Sequence, residues 1–164
     1  MPADGWVEPV AWHASLPGVV LSAAALIGDG RGRVLLVKPN YREHWTLPGG
    51  ICEFLEAPHD GCAREVAEEL GLPLTPGPLL SVDWHPSQAM YGSQARPVAY
   101  FIFDGGTLDS TDGIRLQASE LDECLFVAEA EVGSYLLPAS VPRVTAAMGA
   151  RSTGCARYVP AGGS

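Results

Sequence analysis

The residues best equipped for chemistry lie in one run, Arg64-Glu65-Val66-Ala67-Glu68-Glu69-Leu70-Gly71-Leu72. On a helix of about 3.6 residues per turn, Glu65, Glu68 and Glu69 stand at i, i+3 and i+4, so their carboxylates share one face. Like charges at that spacing repel by roughly a few tenths of a kcal/mol per pair when solvated, and by more when desolvated. Two kinds of partner would neutralise them. One is Arg64 together with solvent, the arrangement of an ordinary charged helix face. The other is a hard divalent cation: Mg²⁺ takes a few carboxylate oxygens plus waters and leaves its remaining positions for the phosphate oxygens of a substrate.

The surroundings of the run favour the second. Five residues separate Gly50 from Glu56 and seven separate Glu56 from Arg64. The segment ending at Leu72 therefore reads Gly, five residues, Glu, seven residues, Arg-Glu-aliphatic-any-Glu-Glu-any-Gly-aliphatic. It resembles the Nudix hydrolase box at every specified position, and with ordinary residue usage a window matches by chance on the order of 10⁻⁹ of the time. The approach, Trp45-Thr46-Leu47-Pro48-Gly49-Gly50, is also similar to that of the family. Two features depart from the pattern. Leu55 stands where the family usually has glycine, and the helix opens Ala57-Pro58-His59-Asp60-Gly61 without a Ser or Thr cap. A glycine at position 61 costs a helix about 1 kcal/mol relative to alanine.

The resemblance implies an α/β protein, a Nudix-type α/β/α sandwich with a mixed sheet. It implies a pyrophosphohydrolase dependent on Mg²⁺, with Mn²⁺ as a substitute. The bond cut is a phosphoanhydride in a nucleoside diphosphate linked to another moiety, such as ADP-ribose or another nucleotide sugar, or in a nucleoside triphosphate. By the same resemblance Glu65, Glu68 and Glu69 are metal ligands together with Gly49, and a glutamate of the box or Glu120 serves as base. Arg64 belongs to the catalytic group and pairs with Glu56, a guanidinium–carboxylate fork that clamps the loop onto the helix. Gly50 permits a tight turn and Gly71 a left-handed helix end. Outside the box, Arg33 and Lys38 are candidates to steady phosphates, and Trp84 to stack on a base. Tyr41, His44, Trp45, His85 and Tyr91 are further loop candidates for stacking, with core packing the ordinary alternative for Trp45 and Trp84. Family members are often dimers, and an arm containing Trp6 and Trp12 offers a contact for a homodimer. Two alternatives differ in class. One is a Nudix-fold module that binds a nucleotide without cleaving it, which has no need of a complete box. The other is a prenyl diphosphate isomerase, whose cysteine-bearing motif is not matched here.

Positioning such a site requires a sheet for the helix to pack on. The chain has 164 residues, 47% of them apolar and 18% charged, the profile of one globular domain spanning 1–164. Nineteen acidic against ten basic residues give a net charge of -9, which argues against a dedicated nucleic-acid or membrane-surface protein. The four cysteines form no C-x-x-C pair and read as reduced thiols of a cytoplasmic protein. Apolar runs at 19–27 and 33–38, joined by a glycine-rich stretch, predict a hairpin, and a short strand follows near 50–54. Periodicity predicts a helix over 58–70, with Cys62, Ala63, Val66 and Leu70 on the sheet and the carboxylates turned outward. Further strands are expected at 79–84, 97–103 and 121–127, and helical segments at 128–136 and 141–150. Residues 1–16 read as an irregular arm or an extra edge strand, and 156–164 as a tail.

Overall fold

The computed structural model describes residues 7–86 and 96–160. Trp6, Tyr91 and residues 161–164 of the expected tail lie outside the described residues. In chain order the elements are α1 (Pro9–Ser15), β1 (Val20–Gly28), β2 (Arg33–Pro39), β3 (Gly49–Ile51), α2 (Pro58–Leu70), β4 (Leu79–His85), β5 (Val98–Thr107), β6 (Leu121–Ala128), α3 (Val132–Tyr135), α4 (Val141–Thr153) and β7 (Arg157–Val159). A 3₁₀ turn, Pro138–Ser140, leads into α4.

The described strands form one mixed sheet in the order β6-β2-β1-β5-β4-β7, with β3 added to β1. The hairpin is antiparallel, and Gly30 and Gly32 in its turn take the left-handed φ that only glycine adopts without cost. The β1–β5 and β4–β7 pairings are parallel, and the others are antiparallel. Strand alternation sends Ala23, Ala25, Ile27, Leu35 and Val37 to one face, where Cys62, Val66 and Leu70 of α2 cover them. Leu26, Val34, Leu36 and Ile102 point to the other face and meet Val144, Ala147 and Ala150 of α4. A sheet covered on both faces by helices is the expected α/β/α sandwich. Arg143 fixes α4 to the sheet, with Nη1 donating to Asp83 at 2.9 Å and its guanidinium 3.9 Å from the centre of the Tyr100 ring.

Three expectations at the edges are corrected. The arm contains a helix, because the Glu8 carboxylate accepts the N–H groups of Val10 and Ala11 at 3.0 and 3.1 Å and Pro9 supplies a ready helical φ. None of its residues is buried, so no apolar stripe announced it. The expected tail includes β7, which adds to β4 and buries Val159, although three residues are too few to show alternation. Of the helical segment at 128–136, only the four residues of α3 are helical, since β6 runs on to Ala128 and the chain turns extended again at Leu136.

Candidate metal-binding and catalytic site

The site is built on the turn from β3 into α2. A Cβ on Gly49, whose φ is 142°, would lie 2.3 Å from the Ala23 carbonyl oxygen and 2.5 Å from the Ala24 Cα, so only glycine fits against β1. A Cβ on Gly50 would lie 2.6 Å from the carboxylate of Glu65. The loop that follows is held by the expected fork. Arg64 donates through Nε and Nη2 to the two oxygens of Glu56 at 2.9 and 3.0 Å, and through Nη2 to the Ile51 carbonyl at 3.1 Å. Those Arg64 bonds, with the Glu53 N–H as the next contribution, hold the Glu56 carboxyl well below its ordinary range, at about 2.

Both departures from the family pattern find a place in this loop. Leu55 takes the left-handed conformation itself, with φ at 67°, and leaves its side chain in solvent. Gly61 sits under the loop, where a Cβ would meet the Glu56 carboxylate at 2.9 Å and the Cys52 Sγ at 3.0 Å. The helix penalty of that glycine is offset by the close approach it permits. Ala57 gives no side-chain cap, Pro58 occupies the first turn, and Gly71 ends the helix at a φ of 66°.

The three box carboxylates do not all face outward, which corrects the helical-wheel expectation. Glu68 is half exposed, Glu65 is mostly covered and Glu69 is 6% exposed. Glu69 borders the buried Leu70, and its Oε2 turns back to accept the Gly49 N–H at 2.7 Å. Arg64 Nη1 donates to Glu65 at 2.9 Å and to Glu68 at 3.1 Å, so the guanidinium already engages two of the three. Among the described residues Glu69 has no ion-pair partner. Burial foremost, then the charges of Glu65 and Glu120, push its carboxyl up to about 8 against the pull of the Gly49 N–H and Arg42. Glu65 is also raised, again mainly by burial, with Glu68 and Glu120 adding to it and Arg64 opposing.

Glu120 reaches this cluster through the main chain. The last carbonyls of α2 accept N–H groups from the loop before β6, Arg115 to Leu70 at 2.8 Å and Gln117 to Glu69 at 3.0 Å. Asn40 ties the same loop to the end of β2, its N–H bonding the Glu120 carbonyl and its side-chain amide the Ser119 carbonyl. Glu123, three residues further on, lies on β6 opposite Lys38.

Among the described residues, no three His, Cys, Asp or Glu side chains already converge as a metal cluster. The donor set nevertheless fits a hard dication. Glu69 and Glu65 are withdrawn carboxylates raised by burial first and then by neighbouring acids, and a positive charge placed among them would relieve that cost.

The structure does not gather the remaining candidates around this cluster. Arg33 is engaged at the hairpin turn, where its Nε donates to the buried Asp29, and its guanidinium lies 5.7 Å from the centre of the Phe126 ring. Lys38 Nζ donates to the carbonyls of Pro39 and Arg42. Trp84 is half-buried on β4, separated from β1 by β5. Trp45 packs edge-on against Tyr135 at 5.9 Å between ring centres, and its role is in the core. Arg42, whose charge acts on Glu69, was not singled out by the sequence reading. Its only signal there was a place in the polar loop before the box.

A family model for the NUDIX domain matches residues 19–147. The chain belongs to the Nudix hydrolase family. It is 40% identical over 50 residues to YjhB of Bacillus subtilis (strain 168), provisionally named an ADP-ribose pyrophosphatase, a match covering 30% of this chain and 24% of that protein. Over 52 residues it is 40% identical to a MutT-like protein of Streptomyces ambofaciens, covering 32% of this chain and 34% of that one. The matched stretches thus span about a quarter and about a third of these curated relatives. Among solved structures, the MutT protein from Methanosarcina mazei Go1 superposes with a TM-score of 0.65 at 27% identity, covering 86% of this chain and all of that one. These matches agree with the mixed sheet and two helical layers described above.

Proposed function

We propose that the chain works as a single Nudix hydrolase domain that cleaves a phosphoanhydride bond, dependent on Mg²⁺ with Mn²⁺ as a substitute. Its substrate is a nucleoside diphosphate linked to another moiety, a nucleotide sugar such as ADP-ribose, or a nucleoside triphosphate. The observation that carries this reading is the buried carboxylate of Glu69, which has a single amide for a partner and lies in the field of Glu65 and Glu120. Uncompensated burial of that kind is costly unless a function retains it. Glu65, Glu68 and Glu69, with the backbone of Gly49, would hold the metal. When bound, the dication would neutralise the diphosphate and make a bound water more acidic. Glu120, or a box glutamate not engaged by metal, accepts the proton of the attacking water. Arg64 keeps Glu65 and Glu68 in place through the bonds described above, and the fork to Glu56 keeps the loop closed on the helix. The name carried by YjhB is in line with the nucleotide-sugar branch of this reading. Among the described residues no helix is long and apolar enough to cross a membrane. A cytoplasmic location with reduced thiols is part of the proposal.

The test is a panel of ADP-ribose, other nucleotide sugars, nucleoside triphosphates and dinucleoside polyphosphates, with Mg²⁺ or Mn²⁺, read by product mass. Cleavage between two phosphorus atoms in at least one member is expected. Binding without product in every arm is the behaviour of a nucleotide-sensing module and would overturn the catalytic reading.

A further inference from the structure

We propose that Asn40 is a positioning residue for Glu120, its side-chain amide holding the turn that carries this acid against the box helix. The inference rests on the hydrolytic reading above, in which Glu120 takes the proton of the attacking water. The β2–β6 ladder ends with Pro39 opposite Leu121, after a register shift between Lys38 and Pro39, so Asn40 is the first residue beyond β2. From there it grips two consecutive carbonyls of the facing loop. Its main-chain N–H donates to the Glu120 carbonyl at 2.9 Å, and its side-chain Nδ2 donates to the Ser119 carbonyl at 2.9 Å. On the other side of the turn, the Gln117 carbonyl accepts the N–H groups of Glu120 and Leu121, both at 2.9 Å. Gln117 is in turn fixed to the box helix, its own N–H bonding the Glu69 carbonyl at 3.0 Å.

Both peptide planes that flank Glu120 are therefore bonded at each end. The plane before it is held through the Ser119 carbonyl and the Glu120 N–H, and the plane after it through the Glu120 carbonyl and the Leu121 N–H. Two fixed planes set φ and ψ at the residue between them, and with these the direction of its Cα–Cβ bond. The Glu120 carboxylate itself makes no hydrogen bond or ion pair among the described residues. A backbone held at four points with the acid left unclaimed keeps a reacting group in place without spending it on the fold. Of the four bonds, only the one from Nδ2 depends on residue type. Asparagine suits it, being short and carrying amide N–H donors, whereas aspartate offers only acceptors and would repel the Ser119 carbonyl. Without that donor the first plane is held at one end only, and a displacement of about 1 Å in a reacting group is enough to slow a reaction markedly.

The test is a double-mutant cycle of Asn40→Ala and Glu120→Gln, by steady-state kinetics on the best substrate of the panel in Mg²⁺. Loss of one hydrogen bond predicts a kcat about fivefold lower for Asn40→Ala, with KM within about twofold. In the Glu120→Gln background the same exchange should change kcat by less than about twofold, because the group it positions is already gone. Asn40→Asp, nearly the same size without the donor, should fall with Asn40→Ala. Equal losses in the two backgrounds, the mark of a merely structural role, overturn the proposal. An unchanged kcat in Asn40→Ala, or a rise in KM alone, overturns it as well. Wild-type turnover in Glu120→Gln also overturns it, and leaves the hydrolytic reading standing with a box glutamate as base. If the wild-type chain cleaves nothing, the hydrolytic reading fails instead, and amide hydrogen exchange decides whether Asn40 holds the turn. Faster exchange at Glu120 and Leu121 in Asn40→Ala supports that, and equal rates overturn it.

Discussion

Asp29 in the hairpin turn and Glu69 on the box helix are equally withdrawn from solvent, each 6% exposed, yet their carboxyls shift in opposite directions. Burial pushes both upward. At Asp29 it is outweighed by the N–H groups of Arg31 and Arg33 at 2.8 and 3.1 Å and by the Arg33 guanidinium, so the carboxyl is lowered. At Glu69 the opposing forces are a single amide and a more distant arginine, while two further acids add to the push. Accessibility therefore does not separate a compensated buried acid from an uncompensated one. Compensation does, because a satisfied buried charge needs nothing more and an unsatisfied one favours whatever brings positive charge to it.

Swapping each acid for its amide gives the widest separation. Glu69→Gln should lower kcat by about a thousandfold or more while the far-ultraviolet circular dichroism stays unchanged, since the amide keeps an oxygen for the Gly49 N–H and loses only the charge proposed to hold the metal. Asp29→Asn should leave kcat alone and lower Tm by a few degrees. A Glu69→Gln variant with near-wild-type turnover would dissolve the contrast.

Metal addition sharpens it. Millimolar Mg²⁺ should raise the Tm of the wild-type chain and of Asp29→Asn, and the gain should vanish in Glu69→Gln. Differential scanning fluorimetry reads all three.

The two adjacent glycines divide along the same line. Gly50→Ala meets the movable end of Glu65, so activity should fall about tenfold or more with little change in Tm. Gly49→Ala meets the backbone of β1 at a φ hostile to alanine, so it should be the destabilised member of the pair.

The smallest effect concerns Glu56, which behaves as Asp29 does. Its carboxyl is lowered from 4.5 to about 2, so its stabilising contribution is full above the ordinary range and is lost as pH falls through about 2. Urea midpoints taken between pH 5 and pH 2 should fall more steeply for the wild-type chain than for Glu56→Gln. Parallel curves would show that the fork does not favour the ionised form.

Much of this was legible in the residues. The helix over Pro58–Leu70 begins and ends where Pro58, its apolar stripe and Gly71 place it, and the fork between Glu56 and Arg64 follows from the types and spacing of its members. The burial of Glu69 was not legible. A helical wheel gives the direction of a side chain, and it says nothing of the Gly49 amide that another segment brings to meet it. Arg33 and Lys38 read as available cations because their partners, a buried turn acid and two carbonyls, depend on how the chain closes on itself. Arg42 was missed for the converse reason: an arginine in a polar loop looks solvated until its charge is seen to act on Glu69. The strand Arg157–Val159 is held by pairing with β4 and is too short to carry a pattern of its own.

The loop bearing Glu120 is stitched to the end of the box helix by the amides of Arg115 and Gln117. Since every amino acid except proline carries that donor, exchanges of side chain at Arg115, Gln117, Ala118 and Ser119 should drift with little penalty, whereas Leu116 packs on the core. An insertion or deletion of one residue there would instead shift the acid out of register. This stretch should therefore tolerate variation in spelling and resist variation in length.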